Sequence, residues 1–146
     1  MRVQKSVDIA APPVKIWPYF IEPEKVLRWC ITFKKFEYIS DQHGGVDTLI
    51  YIEEQAGGPL MKMQFKIKEY KENEKLSLQM VSGSGVKAYE QSWSLTPTPL
   101  GSQFTFMEDV TLPYGFIGEL IGNFMSAGSA ATVGKMLAKL KSMAEA

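Results

Sequence analysis

The stretch that decides the fold is FIGELIGNFMSAGSAATVGKMLAKLKSMA, residues 116–144. Its apolar side chains recur at helical spacing from Phe116 through Phe124 to Leu140, which predicts one long amphipathic helix. At ~1.5 Å per residue this helix would be roughly 43 Å long, enough to cross a whole sheet. The segments before it resemble β-strands, and a curved antiparallel sheet is the simplest surface against which the helix can bury its apolar stripe. We therefore expect an α+β fold in which the helix and the sheet enclose a space.

Seven segments before the long helix are predicted to be β-strands, because polar and apolar residues alternate in most of them and turn residues separate them. They are residues 3–9, 33–40, 47–55, 60–70, 76–80, 86–95 and 102–112. The turns from residue 40 onward are short, which indicates an antiparallel meander. Two short helices are predicted between the first two strands, over residues 14–20 and 22–29. Pro18 is expected to kink or shorten the first of them.

The composition favours one globular domain over residues 1–146. The 16 basic residues balance the 16 acidic ones, so neither nucleic acid nor an anionic membrane surface is expected as a partner. The single cysteine, Cys30, excludes an internal disulfide and is compatible with a reducing cytoplasm. No apolar run is long enough to span a membrane, and residues 1–5 do not resemble a signal peptide. We expect a cytoplasmic protein without integral membrane association, and nothing in the sequence predicts its oligomeric state.

Three motifs resemble the START-like superfamily, also called SRPBCC or helix-grip, and within it the small polyketide cyclase/dehydrase-like proteins. They are VDIAAPPVKIW at residues 7–17, Glu22-Pro23-Glu24 followed by Trp29, and WSLTP at residues 93–97. The resemblance implies a helix-grip fold, in which a seven-stranded curved antiparallel sheet wraps around a long C-terminal helix. Carriers, cyclases and co-chaperones all share this fold, so the fold does not assign an activity.

The resemblance also implies a cavity between sheet and helix, lined by the inward-facing residues of both. On the strands these are Met63, Phe65, Leu78, Met80, Tyr89, Gln91, Trp93, Phe106 and Glu108. On the helix they are Phe116, Leu120, Phe124 and Gly128. An apolar pocket with a few polar groups is the usual site for a small molecule, and methionines make such a pocket adaptable. The alternative is that the same residues form a closed, packed core.

Glu108 is the candidate catalytic residue, because alternation places it on the same face as Phe106 and Val110. A carboxyl group in that position would be desolvated, which raises its pKa. It could then act as a general acid or base, or bind a ligand hydroxyl. The alternatives are a salt bridge near the end of the sheet, or a bulge that turns Glu108 outward.

The facing of strand 47–55 is left open, because residues 49–52 are apolar at both parities. Successive side chains of a strand point to opposite faces. Either Tyr51 and Glu53 therefore point inward, or Ile50, Ile52 and Glu54 do.

His43 and Cys30 are weaker candidates for chemistry. His43 is the only histidine and lies in a glycine-rich turn, where we expect it to be solvated. Cys30 has no histidine near it in sequence, and a buried structural role is expected. The sequence contains no phosphate-binding loop, nucleophile elbow or dinucleotide fingerprint, so no cofactor and no metal is predicted.

Three functions are compatible with these observations. The first is binding, and possibly transport, of a small hydrophobic, aromatic or lipid-like molecule, with Tyr89, Trp93 and Phe124 in apolar contact. The second is a polyketide cyclase or dehydratase, in which Glu108 would move protons in a dry pocket that orients the substrate. The third is a protein-interaction module of the co-chaperone kind, for which the core would be closed.

Overall fold

The structure, a computed structural model, describes the backbone of residues 1–83, 85–113 and 115–146 and the side chains of residues 1–83, 85–113 and 129–146. This part of the chain forms seven strands and four helices. In chain order they are β1 (Arg2–Ile9), α1 (Pro13–Ile16), α2 (Pro18–Ile21), α3 (Pro23–Trp29), β2 (Phe33–Tyr38), β3 (Leu49–Glu54), β4 (Met61–Lys71), β5 (Lys75–Gly83), β6 (Ala88–Thr98), β7 (Gly101–Thr111) and α4 (Gly115–Glu145).

The strands form one antiparallel sheet in the order β1-β7-β6-β5-β4-β3-β2. β1 and β2 are consecutive in the chain but lie at opposite edges of the sheet, and α1, α2 and α3 carry the chain from one edge to the other. From β2 onward each strand pairs with the next, until β7 returns beside β1. The helix-grip architecture expected from the sequence is confirmed, with a curled sheet, short helices after the first strand and a long C-terminal helix.

Each of the three short helices begins at a proline, namely Pro13, Pro18 and Pro23. Proline fits the first helical position because the N–H that it lacks has no partner in the first turn. Pro18 therefore does more than kink the helix predicted over residues 14–20. It divides that helix into α1 and α2, so that three short helices stand where two were predicted.

β6 extends three residues beyond its predicted end and includes Pro97. Proline usually ends a strand because it cannot donate to the ladder. The pairing of β6 with β5 covers residues 90–94, and the N–H of Leu95 still bonds to the backbone oxygen of Glu74; beyond Leu95, β6 pairs only with β7. The free side of β6 needs no N–H donor at Pro97, and the strand continues to Thr98.

An aromatic cluster fills one end of the concave face of the sheet. α2 and α3 contribute Phe20 and Trp29, while β6 and β7 contribute Trp93 and Phe104. The ring centroids of Trp29 and Trp93 are 5.1 Å apart, and those of Phe20 and Phe104 are 5.4 Å apart. All four side chains are fully buried. We call these four residues the aromatic core.

The described part of α4 packs against β1, β7 and α3. It buries Val133, Met136, Leu137 and Leu140 on one face. Lys141 Nζ donates to the backbone oxygen of Asp8 at 2.7 Å, which ties the end of α4 to the end of β1. Among the described residues, no helix is both long and apolar enough to span a membrane.

Candidate functional site

A pocket of about 590 Å³ opens between α4, the ends of β3 and β7, and the connection from α3 to β2. The described residues that line it are Ile31, Thr32, Glu54, Gln55, Ala56, Gly57, Phe106, Glu108, Ser129, Thr132, Val133 and Met136. Small-molecule sites usually measure roughly 300–1,000 Å³, so this pocket is large enough for a ligand of drug-like size.

Glu54 and Glu108 meet at the polar end of this pocket, with Tyr89 between them. Tyr89 Oη lies 2.7 Å from Oε1 of Glu54 and 2.5 Å from Oε1 of Glu108. Thr32 Oγ1 donates to the other oxygen of Glu54, Oε2, at 2.7 Å. Glu54 is only 3% exposed. We call Glu54, Tyr89 and Glu108 the acid triad.

The acid triad forms because the sheet is curled. Glu54 is the last residue of β3, whereas Tyr89 lies on β6 and Glu108 on β7. β4 and β5 separate β3 from β6. In a flat sheet the backbones of β3 and β6 would be about 14 Å apart, because neighbouring strands are about 4.8 Å apart. The contact between Tyr89 and Glu54 therefore depends on the curl of the sheet as well as on two long side chains.

The donors and acceptors of the acid triad balance when one proton is on the carboxyl pair. Tyr89 has a single O–H and fully satisfies one acceptor with it. Its oxygen also accepts a hydrogen bond from Gln91 Nε2, at 2.8 Å. The second carboxyl contact becomes a hydrogen bond when that carboxyl is protonated and donates to Tyr89 Oη. One neutral carboxylic acid, one carboxylate and a neutral tyrosine thus satisfy every contact.

The pKa values of both carboxyl groups are raised, which favours a pair that keeps one proton. Burial, and after it the neighbouring charge of Glu108, raises the pKa of Glu54 to about 7. Burial also raises the pKa of Glu108, although hydrogen bonds from Tyr89 and Gln91 oppose this shift. The pKa of Tyr89 lies well above its usual value, chiefly because of burial, so the tyrosine stays neutral.

Trp93 and Gln91 hold the acid triad from the interior of the sheet. Trp93 Nε1 donates to Oε1 of Gln91 at 3.0 Å. An indole N–H can only donate, so it fixes which end of the amide faces Trp93. The amide nitrogen of Gln91 then points to the triad, 2.8 Å from Tyr89 Oη and 3.3 Å from Oε1 of Glu108. The aromatic core thus positions the polar end of the pocket.

No basic side chain neutralises the acid triad in the part of the chain that the structure describes. The lining named above contains no lysine, arginine or histidine. The salt bridges formed by the described side chains do not include Glu54 or Glu108. Residue 84 and residues 114–128 contain no basic residue in their sequence. With one proton on the carboxyl pair, the triad therefore carries a single negative charge that no described basic side chain neutralises.

Residues 1–145 match the protein family described as polyketide cyclase / dehydrase and lipid transport. The chain belongs to this family. Among curated proteins no match is found.

Solved structures share the fold of this family member over almost its whole length. Protein TTHA0849 from Thermus thermophilus has a TM-score of 0.81 and 16% identity, over 99% of this chain and 97% of that one. A START superfamily protein from Mycobacterium smegmatis has a TM-score of 0.79 and 16% identity, with the same coverage. The Zhui aromatase/cyclase from Streptomyces sp. R1128 has a TM-score of 0.77 and 12% identity, over 99% of this chain and 93% of that one. At these identities the likeness shows the fold alone.

The lining predicted from the sequence divides into three groups in this polyketide cyclase/dehydrase family member. Phe106 and Glu108 line the pocket. Seven residues lie in or against the packed core and not in the described lining: Met63, Phe65, Leu78, Tyr89, Gln91 and Trp93, which are almost fully buried, and Met80, which is half-buried. Four residues lie outside the described side chains: Phe116, Leu120, Phe124 and Gly128. A role in ligand binding stays a prediction for all thirteen.

The structure decides between the two facings left open for β3. Ile50, Ile52 and Glu54 are buried on the concave face. Tyr51 Oη donates to Oε2 of Glu53 at 2.7 Å, and both side chains are only half-buried. Glu108 faces inward as alternation predicts, because β7 pairs with both neighbours without a bulge.

Several lining residues were missed by the sequence analysis. Thr32 lies in the connection from α3 to β2, and Gln55, Ala56 and Gly57 follow the end of β3, so no periodic pattern marks them. Ser129, Thr132, Val133 and Met136 belong to the α4 stripe, where one helical face provides both core and pocket residues. Only one signal in the sequence could have identified Glu54: it alternates with Ile50 and Ile52, so it shares their face of β3.

His43 and Cys30 lie outside the pocket lining. The ring of His43 stacks on that of Tyr38, with centroids 4.7 Å apart. Cys30 is fully buried, and burial first, then the charges of Glu54 and Glu108, raises the pKa of its thiol well above its usual value. Among the described residues, no group of three or more potential ligands is arranged to hold a metal ion.

Proposed function

We propose that this chain binds a small, largely apolar molecule in the pocket beside α4. The observation that supports it best is a pocket of about 590 Å³ with apolar side chains along its wall and the acid triad at one end. A site of this composition typically binds the ligand body by apolar contact and orients it with a few polar groups. Ile31, Phe106 and Met136 would contact the body, and the predicted Phe116, Leu120, Phe124 and Gly128 would complete the wall.

The proposal is tested by filling the pocket. Ser129 lies on α4 and lines the pocket, so Ser129→Trp should occupy part of its volume. With 2-methoxynaphthalene as a neutral probe, isothermal titration should show binding to the wild type and at least about tenfold weaker binding to the variant. Val14→Trp is the matched control, because Val14 is 64% exposed and does not line the pocket. Absence of binding to the wild type, or equal binding to Ser129→Trp, would contradict the proposal.

A natural ligand can be sought by native mass spectrometry of the protein purified from its own host. We expect a small molecule that copurifies with the wild type and is lost from Ser129→Trp. The denatured extract would give its chemical class. A molecule retained equally by both proteins would place the binding site elsewhere.

The acid triad favours a second candidate function, a cyclase or dehydratase. A neutral carboxylic acid and a carboxylate in one pocket can act as general acid and general base. Glu108 would remove a proton from carbon beside a ketone, and Glu54 would donate its proton to the departing hydroxyl, which leaves as water. The carboxyl pair is then reset through Tyr89. Glu108 gives its new proton to the oxygen of Tyr89, and Tyr89 gives the proton of its own hydroxyl to Glu54.

The enzymatic proposal predicts a separation of turnover from binding. With a β-hydroxyketone thioester as substrate, whose hydroxyl can leave as water, Glu108→Gln should lose turnover while it still binds the substrate. Asp109→Asn is the matched control, because Asp109 pairs with Arg2 at the surface. Retained turnover in Glu108→Gln would remove Glu108 from the mechanism.

We do not propose the protein-interaction role. That role was predicted to go with a closed core, whereas the structure contains a pocket. A cytoplasmic location remains part of our proposal and is supported only by the use of a single, reduced cysteine.

A further inference from the structure

We propose that the pocket selects ligands whose polar head donates hydrogen bonds, namely a hydroxyl or an ammonium group, and rejects carboxylates and other anions. This inference rests on the proposed binding function and specifies the class of molecule that the pocket accepts.

The free hydrogen-bonding capacity at the polar end of the pocket is that of acceptors. Oε1 of Glu54 and Oε1 of Glu108 are both engaged by Tyr89. Oε2 of Glu108 has no hydrogen-bond partner among the described residues, and Glu108 lines the pocket. Oε2 of Glu54 accepts from Thr32 and has a second lone pair. A ligand head that reaches this end therefore meets carboxyl oxygens that lack donors.

Among the described residues, three side chains in or beside this part of the pocket already have their donors engaged. The hydroxyl of Thr32 donates to Glu54, and the amide nitrogen of Gln91 donates to Tyr89 and Glu108. Gln55 lines the pocket, but its amide nitrogen donates to the backbone oxygen of Gly58 at 3.1 Å. A ligand carboxylate would need such donors, because a buried anion without hydrogen bonds is costly.

Charge acts in the same direction as hydrogen bonding. The acid triad holds one negative charge, and no lysine, arginine or histidine lies in the described lining or in the sequence of residues 114–128. An anionic head would place a second negative charge beside Glu108 with no cation to compensate either. A neutral hydroxyl adds no charge, and an ammonium group would neutralise the one present.

Four probes with the same aromatic body test the inference: 2-naphthol, 2-(aminomethyl)naphthalene, 2-methoxynaphthalene and 2-naphthoate. Their dissociation constants would be measured with the wild type at pH 6.5 by isothermal titration. We expect at least one of the two donor probes to bind about tenfold or more tightly than the methoxy probe, as a hydrogen bond to a charged group allows. We expect 2-naphthoate to bind at least about tenfold more weakly than the methoxy probe. The two donor arms distinguish a hydroxyl ligand from an ammonium ligand.

The methoxy probe keeps failure of the inference distinct from failure of the proposed function. If it does not bind, or binds Ser129→Trp equally well, the binding function itself is contradicted. If it binds in the pocket but 2-naphthoate binds as tightly, or neither donor probe gains affinity over it, only the inference is overturned. The affinities of the four probes are all compared on the wild type, so this test does not depend on whether a variant of the acid triad folds.

A variant then assigns the selectivity to one side chain. Glu108→Gln removes the negative charge and places an amide donor at the pocket, so the donor probes should lose their advantage and 2-naphthoate should gain at least about tenfold. Asp109→Asn makes the same chemical change on the outer face of β7 and should keep the wild-type ranking. An unchanged ranking in a folded Glu108→Gln protein would contradict the role of Glu108.

Discussion

The two ends of the concave face are built from the same alternating strands but contain different chemistry. At one end, α2 and α3 place Phe20 and Trp29 against Trp93, and the space is filled with rings. At the other end, Glu54 and Glu108 face a pocket of about 590 Å³. The difference shows that a side chain can point to the concave face of the sheet without lining the pocket. At the packed end, rings from α2 and α3 fill the space in front of the sheet.

The two ends are nevertheless connected. Trp93 belongs to the aromatic core and also donates the hydrogen bond that orients Gln91 toward the acid triad. A rigid, dry neighbour is what allows two carboxyl groups to keep a proton between them, because water would otherwise solvate both charges. The packed end therefore supports the chemistry of the open end.

The largest effect is expected from breaking the aromatic core. Trp93 is fully buried, so Trp93→Ala should lower the free energy of unfolding by about 3–5 kcal/mol, from lost burial and the cavity left behind. Ile31→Ala, at a half-buried position that lines the pocket, should cost only about 1 kcal/mol. Urea denaturation of both variants measures the contrast. Equal losses would show that the two ends do not differ in packing.

The pH dependence of stability tests the pocket end of the concave face. Glu54 keeps its proton in the native state up to about pH 7, whereas the unfolded chain loses it near pH 4.5. The native state thus binds more protons in this range, so the free energy of unfolding should fall as pH rises from about 4.5 to about 7. This contribution is on the order of 3 kcal/mol.

The control for this pH dependence is the adjacent glutamate of β3. Glu54→Gln should make the curve less steep between pH 4.5 and pH 7, because it removes one of the two buried carboxyl groups whose pKa is raised. Glu53→Gln, on the outer face, should leave the curve unchanged. The titratable groups that act on Glu54 in the described structure are Glu108 and Tyr89, with Cys30 close by. A wild-type curve that rises with pH over this range would contradict the assignment.

A smaller effect is expected from removing the bridging hydroxyl. Tyr89→Phe keeps the buried ring but leaves both carboxyl groups without their shared partner, which should cost about 1–3 kcal/mol. Tyr51→Phe removes a hydroxyl that bonds to Glu53 on the outer face, and should cost less than about 0.5 kcal/mol. Thermal denaturation at pH 6 compares the two. If the two variants lose equal stability, Tyr89 does not bridge a buried acid pair.

The smallest effect concerns Cys30, which follows Trp29 at the end of α3. Burial keeps its thiol neutral, so a thiol reagent at pH 8 should not modify the folded protein and should modify it fully in denaturant. Reaction within minutes in the native state would mean that the aromatic core is open to solvent at this point.

Local patterns were enough to predict most of the fold, because alternation in β4 and β7 and the helical spacing of α4 are properties of neighbouring residues. The split at Pro18 was only partly foreseen, since proline both interrupts a helix and begins one. The acid triad was not predictable as a unit. Its members are separated by 35 and 19 residues in the chain, and the curl of the sheet brings them together. The sequence left two facings open for β3, and Glu54 points inward in only one of them. The burial of Ile50 and Ile52 in the structure shows that this facing is the correct one.

The shared proton of Glu54 and Glu108 is most directly tested by carbon NMR titration of the glutamate carboxyl groups in the wild type, with signals assigned by Glu54→Gln and Glu108→Gln. We predict that one carboxyl of the pair remains protonated until about pH 7. Adding 2-naphthol should shift the signals of the pair and not that of Glu53, which lies on the outer face. If both carboxyl groups of the pair lose their protons below about pH 5, close to the usual range of a glutamate, the acid triad does not hold a proton, and this description of the pocket is wrong.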